Sequence, residues 1–426
     1  VAADPIVVGT YDVAVVQRRT VRLLFSTQII GGVGVAVGMS VGALLAADMA
    51  GVGASGLAQS AAVVGSALLA VPAVRIMRQY GRGPGLAAAY LTAAVGGAGV
   101  VAAAMTDSVP LLYVGLFLFG GGTTAGMQAR YAAVDLAPVA HRGRQLSLVV
   151  WATTLGAVAG PNLAPLAGTA LAGYDIPTLA GPFVFSAGLF GVAALVLLML
   201  LRPDPLRLAR RLADGEPQVG VAPATRVGMW PALQEVMASP AARLGVAAMA
   251  VGHLVMVGVM AMTPVHIQAA GHDDAHTLRI VGVVLSLHIA GMFAFAPVTG
   301  WLTDRYGRRP VILGGVVLLL AACAVAGTAG HHSGQLSVGL FLLGLGWSGT
   351  MVAGSTLLSE SVSDAVRPSA QGLSDLVMGL AGASAGAVSG LVVSWAGYST
   401  LAMLAAISTV PLVALALRPV HGKVYG

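Results

Sequence analysis

Two histidines, His253 and His288, lie inside long apolar runs in which almost no other residue can carry a charge. Imidazole titrates near neutral pH, and buried uncharged it costs less than a carboxylate, so either ring is suited to taking up and releasing a proton. The plainer alternative for each is a neutral ring hydrogen-bonded to a backbone carbonyl or a neighbouring helix. Asp48, at the outer end of an apolar run, is a third proton candidate or a solvated loop acid. A second ionisable group lies in "GWLTDRYGRRPVIL" (Gly300 to Leu313), between two apolar segments of a chain that is only 9% charged. Asp304 and Arg308 there are four apart, the spacing that brings two side chains together on one helix face. An exposed pair of this kind contributes under ~1 kcal/mol, so a latch built on it needs partial burial. The alternative is that Arg305, Arg308 and Arg309 only anchor the segment at the membrane surface.

Other chemistries find no support. No Ser/His/Asp or paired-carboxylate arrangement suggests catalysis, and no P-loop suggests nucleotide hydrolysis. The glycine-rich "GGVGVAVG" (Gly31 to Gly38) falls inside an apolar run. "HDDAH" (His272 to His276) and His331–His332 read as solvated loops before they read as metal ligands. Cys323 is the single cysteine, which excludes a disulfide framework. No metal or cofactor is expected.

These residues need elements to hold them. Of the 426 residues 57% are hydrophobic, with a mean hydropathy of +0.88. Crossing a bilayer takes roughly 20 mainly apolar residues. Candidate spans fall near 23–47, 55–77, 85–106, 110–131, 146–171, 180–201, 244–268, 279–301, 310–329, 336–358, 370–394 and 399–417. The fold class is therefore an all-α membrane protein whose partner is the lipid bilayer. The first run follows Arg18, Arg19 and Arg22 and is too long for a signal-peptide core, so it reads as a retained span. Numbering the connections alternately puts every basic residue except Arg279 on one side, out of 22. That asymmetry predicts a cytoplasmic location for both termini. It also accounts for the net charge of +6 without nucleic acid. Richness in Ala, Gly and Arg suggests a high-GC bacterium, hence a bacterial cytoplasmic (inner) membrane.

The one long polar stretch divides the chain into two six-span bundles, 1–201 and 244–426, with a linker over 202–243. Within it, "PLRLARRLA" (Pro205 to Ala213) has the pattern of an interfacial amphipathic helix or of a solvated linker. The bundles repeat at an offset of about 226 residues. Gly81 and Arg82 answer Gly307 and Arg308; Asp135 and Arg142 answer Glu360 and Arg367; Gly156 and Gly160 answer Gly382 and Gly386.

With its glycine, its Asp-Arg pair and its Gly-Arg-Arg ending, "GWLTDRYGRRP" resembles the loop signature of the major facilitator superfamily. "GAVAGP" (Gly156 to Pro161) resembles the fifth-helix motif of its twelve-helix drug/proton antiporter branch, and "DLAPVAHRGR" is similar to the loop after span four. The departures are Arg78 at the first loop's aspartate position, Val74 at its leading glycine, and Leu116 where an arginine often stands. Ala164 and Pro165 replace two closing glycines, and Gln28 is the main polar group of span one where many exporters carry an acid.

The resemblance implies alternating access, with spans one, four, seven and ten lining a cavity. Ser26 and Gln28 lie on span one, and Tyr113, Phe117, Thr124 and Gln128 share one face of span four. His253, Met256 and Met260 do so on span seven, and Trp347, Met351 and Ser355 on span ten. For any one of them ordinary helix packing is the better reading; as a set they suit an uncharged or weakly polar small molecule. The resemblance further implies that each loop faces the start of the other half's fifth span. Asp304 would then meet Arg142 and Arg144, and Arg78 would meet Asp375, a charge-swapped latch. Gly156, Gly160 and Pro161, echoed by Gly382 and Gly386, allow close helix approach. The expected function is proton-coupled export of a small amphiphilic or apolar compound by a monomer. Uptake of a nutrient with protons is the alternative, and a lipid-modifying enzyme or a sensor is a more distant one.

Overall fold

A computed structural model describes residues 7–8, 11–138, 142–171, 174–215, 229–363 and 366–418. Its elements follow the apolar runs. Spans one to three are α1 (Val13–Ala50), α2 (Val52–Tyr80) and α3 (Arg82–Thr106). Span four is two helices, α4 (Val109–Phe119) and α5 (Gly121–Ala132), and spans five and six are α6 (Arg142–Ala170) and α7 (Gly181–Leu200). Two short helices follow, α8 (Pro205–Gly215) and α9 (Met229–Ala238). Span seven is α10 (Pro240–Gln268), and span eight is α11 (Asp274–Phe293) continued by α12 (Ala296–Tyr306). Spans nine and ten are α13 (Arg308–Gly327) and α14 (Ser333–Glu360). The last two share α15 (Arg367–Ile407), which turns at Gly397 (φ 80°, ψ 171°), and α16 (Val410–Leu417). Val7–Val8 and Tyr11–Asp12 pair as a small antiparallel hairpin.

Ten helical stretches among the described residues are long and apolar enough to cross a membrane. One of them, Ser369–Leu417, holds two passes, and α6 completes the twelve. The connections repeat as the sequence does. Gly81 (φ 100°, ψ 175°) and Gly307 (φ 89°, ψ 165°) adopt nearly the same backbone, open to glycine and strained for other residues.

Contacts gather the chain into two compact units. The first comprises residues 1–50, 61–220 and 272–282, the second 51–60, 221–271 and 283–426. This differs from the expected 1–201, 202–243 and 244–426, because each unit takes in a short segment from the other side of the linker. In the first unit the start of α11 meets α6, where a Cβ on Gly282 would lie 2.8 Å from the Pro161 carbonyl oxygen. In the second the start of α2 meets α15, and the Ser60 hydroxyl donates to the Ala383 carbonyl at 2.7 Å.

Lipid tails give little drive for apolar burial between helices, so close fit must hold them together. The run of glycines in α1 supplies that fit. Gly31 makes room for Tyr90, Gly34 for Phe190 and Gly38 for Phe119, and a Cβ at any of them would come within 3.0 Å of the ring. Those rings pack on one another, with Phe119 5.3 Å from Phe190 and Tyr90 5.9 Å from it. Gly156 and Gly160 set α6 directly on the α1 backbone, a Cβ on Gly156 falling 2.6 Å from the Ile29 oxygen.

The linker is not a solvated strand where it is described. Leu208 of α8 is buried with Val13, Val16 and Leu136 in the first unit. Ala232 and Val236 of α9 are buried with Met249, Leu358 and Val366 in the second.

Candidate functional site

The second unit sets Trp347 of span ten and Gly382 of span eleven against His253 of span seven. The Trp347 indole N–H donates to His253 Nδ1 at 3.1 Å. Indole nitrogen only donates, so Nδ1 must accept and the ring's proton sits on Nε2. That side of the ring lies over Gly382, where a Cβ would fall 2.7 Å from Cδ2 and 2.8 Å from Nε2. Phe293 stands edge-on to Trp347 at 5.8 Å, so the indole is held by a ring on one side and a hydrogen bond at its tip.

His288 has a different setting. It is fully buried on α11, with Nδ1 2.8 Å from the Leu340 carbonyl oxygen of α14. A carbonyl only accepts, so Nδ1 carries the proton, and Nε2 is buried without a partner among the described residues. A second proton there would have no acceptor, which favours the neutral packed ring over a proton carrier. Asp48 is exposed at the end of α1.

The other expected residues of this unit differ in burial and local contacts. Met256 is buried and Met260 partly so. Met351 packs beside the cluster around Leu358, and the Ser355 hydroxyl donates to the Val352 carbonyl at 3.0 Å.

The first unit holds Gln28 in the matching turn of its first helix. Gln28 is 2% exposed, and its Nε2 donates to the Gly126 carbonyl at 3.0 Å and the Thr153 hydroxyl at 3.1 Å. The Tyr90 hydroxyl donates to Gln28 Oε1 at 3.2 Å. Gln28 therefore ties α1 to α3, α5 and α6. Thr124, expected on a cavity face, is turned to α2 and donates to the Ser66 carbonyl at 2.8 Å. The exposed positions of α5 are Thr123, Met127 and Tyr131, a stripe next to the expected one, while Tyr113, Phe117 and Gln128 are half-buried and Ser26 is exposed.

Two ion pairs repeat across the halves. Arg82 meets Asp135 through two parallel hydrogen bonds, at 2.8 and 3.0 Å. Arg308 meets Glu360 in the same way, Nε to Oε2 at 2.9 Å and Nη2 to Oε1. Asp304 was expected to be the partner of Arg308; it is 78% exposed and only reaches it at 4.0 Å. Glu360 wins because a planar guanidinium pairs best with a carboxylate presented side-on across the turn. Arg305 lies over Trp301 and Tyr306, Arg309 donates to the Arg418 carbonyl, and Arg367 donates to the Ser359 carbonyl. Gly300 stands in open space. The Arg142 and Arg144 side chains lie outside the described residues, so their meeting with Asp304 stays an expectation, as does that of Arg78 with Asp375.

Several residues that the sequence reading passed over hold these groups in place. Asp204 accepts from the Gly83 N–H at 2.8 Å and from the Leu206 and Arg207 N–H groups at 3.1 and 3.2 Å. Arg210 donates to the Arg78 carbonyl at 2.7 Å. Glu235 accepts from the Ser363 N–H and hydroxyl at 2.5 and 3.1 Å, fixing α9 to the end of span ten. Asp204 directly before an amphipathic segment was a readable cap signal; the others are long-range and left no local trace.

The family model described as Major Facilitator Superfamily matches residues 23–278 and 273–424. An uncharacterized MFS-type transporter, YdeG of Bacillus subtilis (strain 168), is 37% identical over 398 residues, 93% of this chain and 90% of that protein. A riboflavin transporter, RfnT of Brucella anthropi, is 29% identical over 419 residues, 95% of this chain and 96% of that protein. A solved bacterial homolog of the human lysosomal transporter Spinster superposes with a TM-score of 0.73 at 15% identity, covering 94% of this chain and 96% of that one.

Proposed function

The chain belongs to the major facilitator superfamily, and from that premise we propose that it exports small, uncharged, ring-bearing organic compounds in exchange for protons. The observation that carries the reading is the Trp347–His253 hydrogen bond. A proton arriving at His253 must take Nδ1, since Nε2 already carries one, and an Nδ1–H cannot accept from an indole N–H. Protonation therefore breaks the bond that holds Trp347 in place. A solute that stacks on the held indole and the neighbouring Phe293 loses that surface when the proton binds. Proton and solute then weaken each other's binding by the same factor, which is the linkage that exchange requires. Gly156 and Gly160, set on the α1 backbone, support the antiporter-like reading of the fifth helix.

A second reading has its own support. Protonation also frees the indole N–H to donate to a solute acceptor, which makes proton and solute bind together. Uptake with protons follows, and the likeness to a riboflavin transporter makes riboflavin one solute to try.

Proton flux in reconstituted vesicles separates the two. A panel of amphiphiles, riboflavin included, is added on one side while an internal dye reports pH. Export predicts protons moving against the compound and uptake predicts protons moving with it. His253→Gln should abolish the coupling in either case. Unchanged pH dependence in that variant removes His253 as the carrier.

A further inference from the structure

We propose that the groove between α8 and the ends of α3 and α7 is a binding site for an anionic phospholipid. It has a volume of about 540 Å³, the size of a small-ligand pocket. Its walls divide by chemistry. Leu197 and Leu198 belong to the last turn of span six, while Arg202, Arg207 and Arg211 follow it, and Tyr80 closes the other side. The groove therefore sits where a span leaves the membrane, with apolar groups toward the acyl chains and guanidinium groups at headgroup level.

Arg202 is held by its Nε, which donates to the Leu198 carbonyl at 3.1 Å. Among the described residues no carboxylate lies within salt-bridge distance of Arg202, Arg207 or Arg211, and all three are exposed. Asp204 is the acid in the lining, and its two oxygens are taken up by three backbone N–H groups at the starts of α3 and α8. Tyr80 is 50% exposed, as an aromatic ring at the headgroup level would be. Docking of α8 through Leu208 holds Arg207 and Arg211 over the end of span six rather than leaving them on a loose tail. Guanidinium forks match phosphate oxygens, and the leucines add what a free phosphate cannot use.

The test uses the full chain in a neutral detergent, with native mass spectrometry and thermal unfolding as readouts. The probes are phosphatidylglycerol, phosphatidylcholine of the same acyl chains, and inorganic phosphate. Phosphatidylglycerol should bind and raise the unfolding temperature, and the other two should not. Arg207→Gln with Arg211→Gln should weaken phosphatidylglycerol binding about fivefold per arginine, about twenty-fivefold together. The corresponding lysine pair keeps the charge and loses the fork, so it should fall between the wild type and the glutamine pair. Arg18→Gln with Arg19→Gln, at a separate basic groove on α1, should leave it unchanged. Equal protection by phosphate would make this an anion site without a lipid, and equal binding by phosphatidylcholine or by the glutamine pair would overturn the assignment.

Discussion

His253 and Gln28 stand in corresponding turns of the first helix of each half, about 225 residues apart, yet only one of them can change its charge. Gln28 spends its amide on Gly126, Thr153 and Tyr90, and works as a tie between helices. His253 spends one nitrogen on Trp347 and leaves the other over Gly382. Trp347→Phe keeps an aromatic surface and removes the donor. Solute binding should stay within a few-fold at one pH, while the difference in affinity between pH 6 and pH 8 should shrink; retention of the full difference in a binding titration argues against the pair. Gly382→Ala puts a methyl group against the imidazole, an overpacking that costs about 1–3 kcal/mol. Combining it with His253→Ala should recover most of the lost thermal stability, since both changes act on one contact. A strictly additive loss in the double variant would place the strain elsewhere.

At the scale of elements, α8 shows how a short helix becomes part of a membrane bundle. Its alternating leucines and arginines could serve a lipid surface or a loose linker, and pattern alone does not choose between them. The choice comes from Val13, Val16 and Leu136, which close over Leu208, and from Asp204, which caps α8 and meets the start of α3. Asp204→Ala removes acceptors from three N–H groups. A lost cap costs about 1–2 kcal/mol, so for a chain of 426 residues the unfolding temperature should fall by roughly 1–2 °C, and with Asp204→Asn by less. No shift in a thermal scan would mean that α8 docks by its leucines alone. Thr124 on span four departs from its expected cavity-facing position for a related reason. Residues at helical spacing share a face, but which face is covered depends on the neighbour, and Ser66 of α2 covers Thr124.

For the whole molecule, the two halves carry one plan at unequal strength. Arg82 and Asp135 are 16% and 11% exposed, whereas Arg308 and Glu360 are 27% and 50% exposed. Breaking a buried pair from one side costs about 3–5 kcal/mol and an exposed pair contributes about 0–1 kcal/mol, so the part-buried Arg82–Asp135 pair falls between the two and above Arg308–Glu360. Arg82→Gln should therefore lower thermal stability and yield markedly more than Arg308→Gln, a ranking that size-exclusion and unfolding measurements can check. Equal losses would mean that Glu360 is as shielded as Asp135. The repeat itself was open to inspection in the chain: apolar runs long enough for a bilayer, arginines gathered between them, and matched glycines at Gly81 and Gly307. These are local or periodic properties, and membrane insertion reads them directly. The twelve spans, the two bundles and the family resemblance were thus determined by the sequence alone. Tertiary structure decided the partners: Glu360 rather than Asp304 for Arg308, Trp347 for His253, Leu340 for His288, and α1 for α8. Each joins residues far apart in the chain, and in a bilayer such meetings depend on which helix faces fit closely, a property no single segment carries.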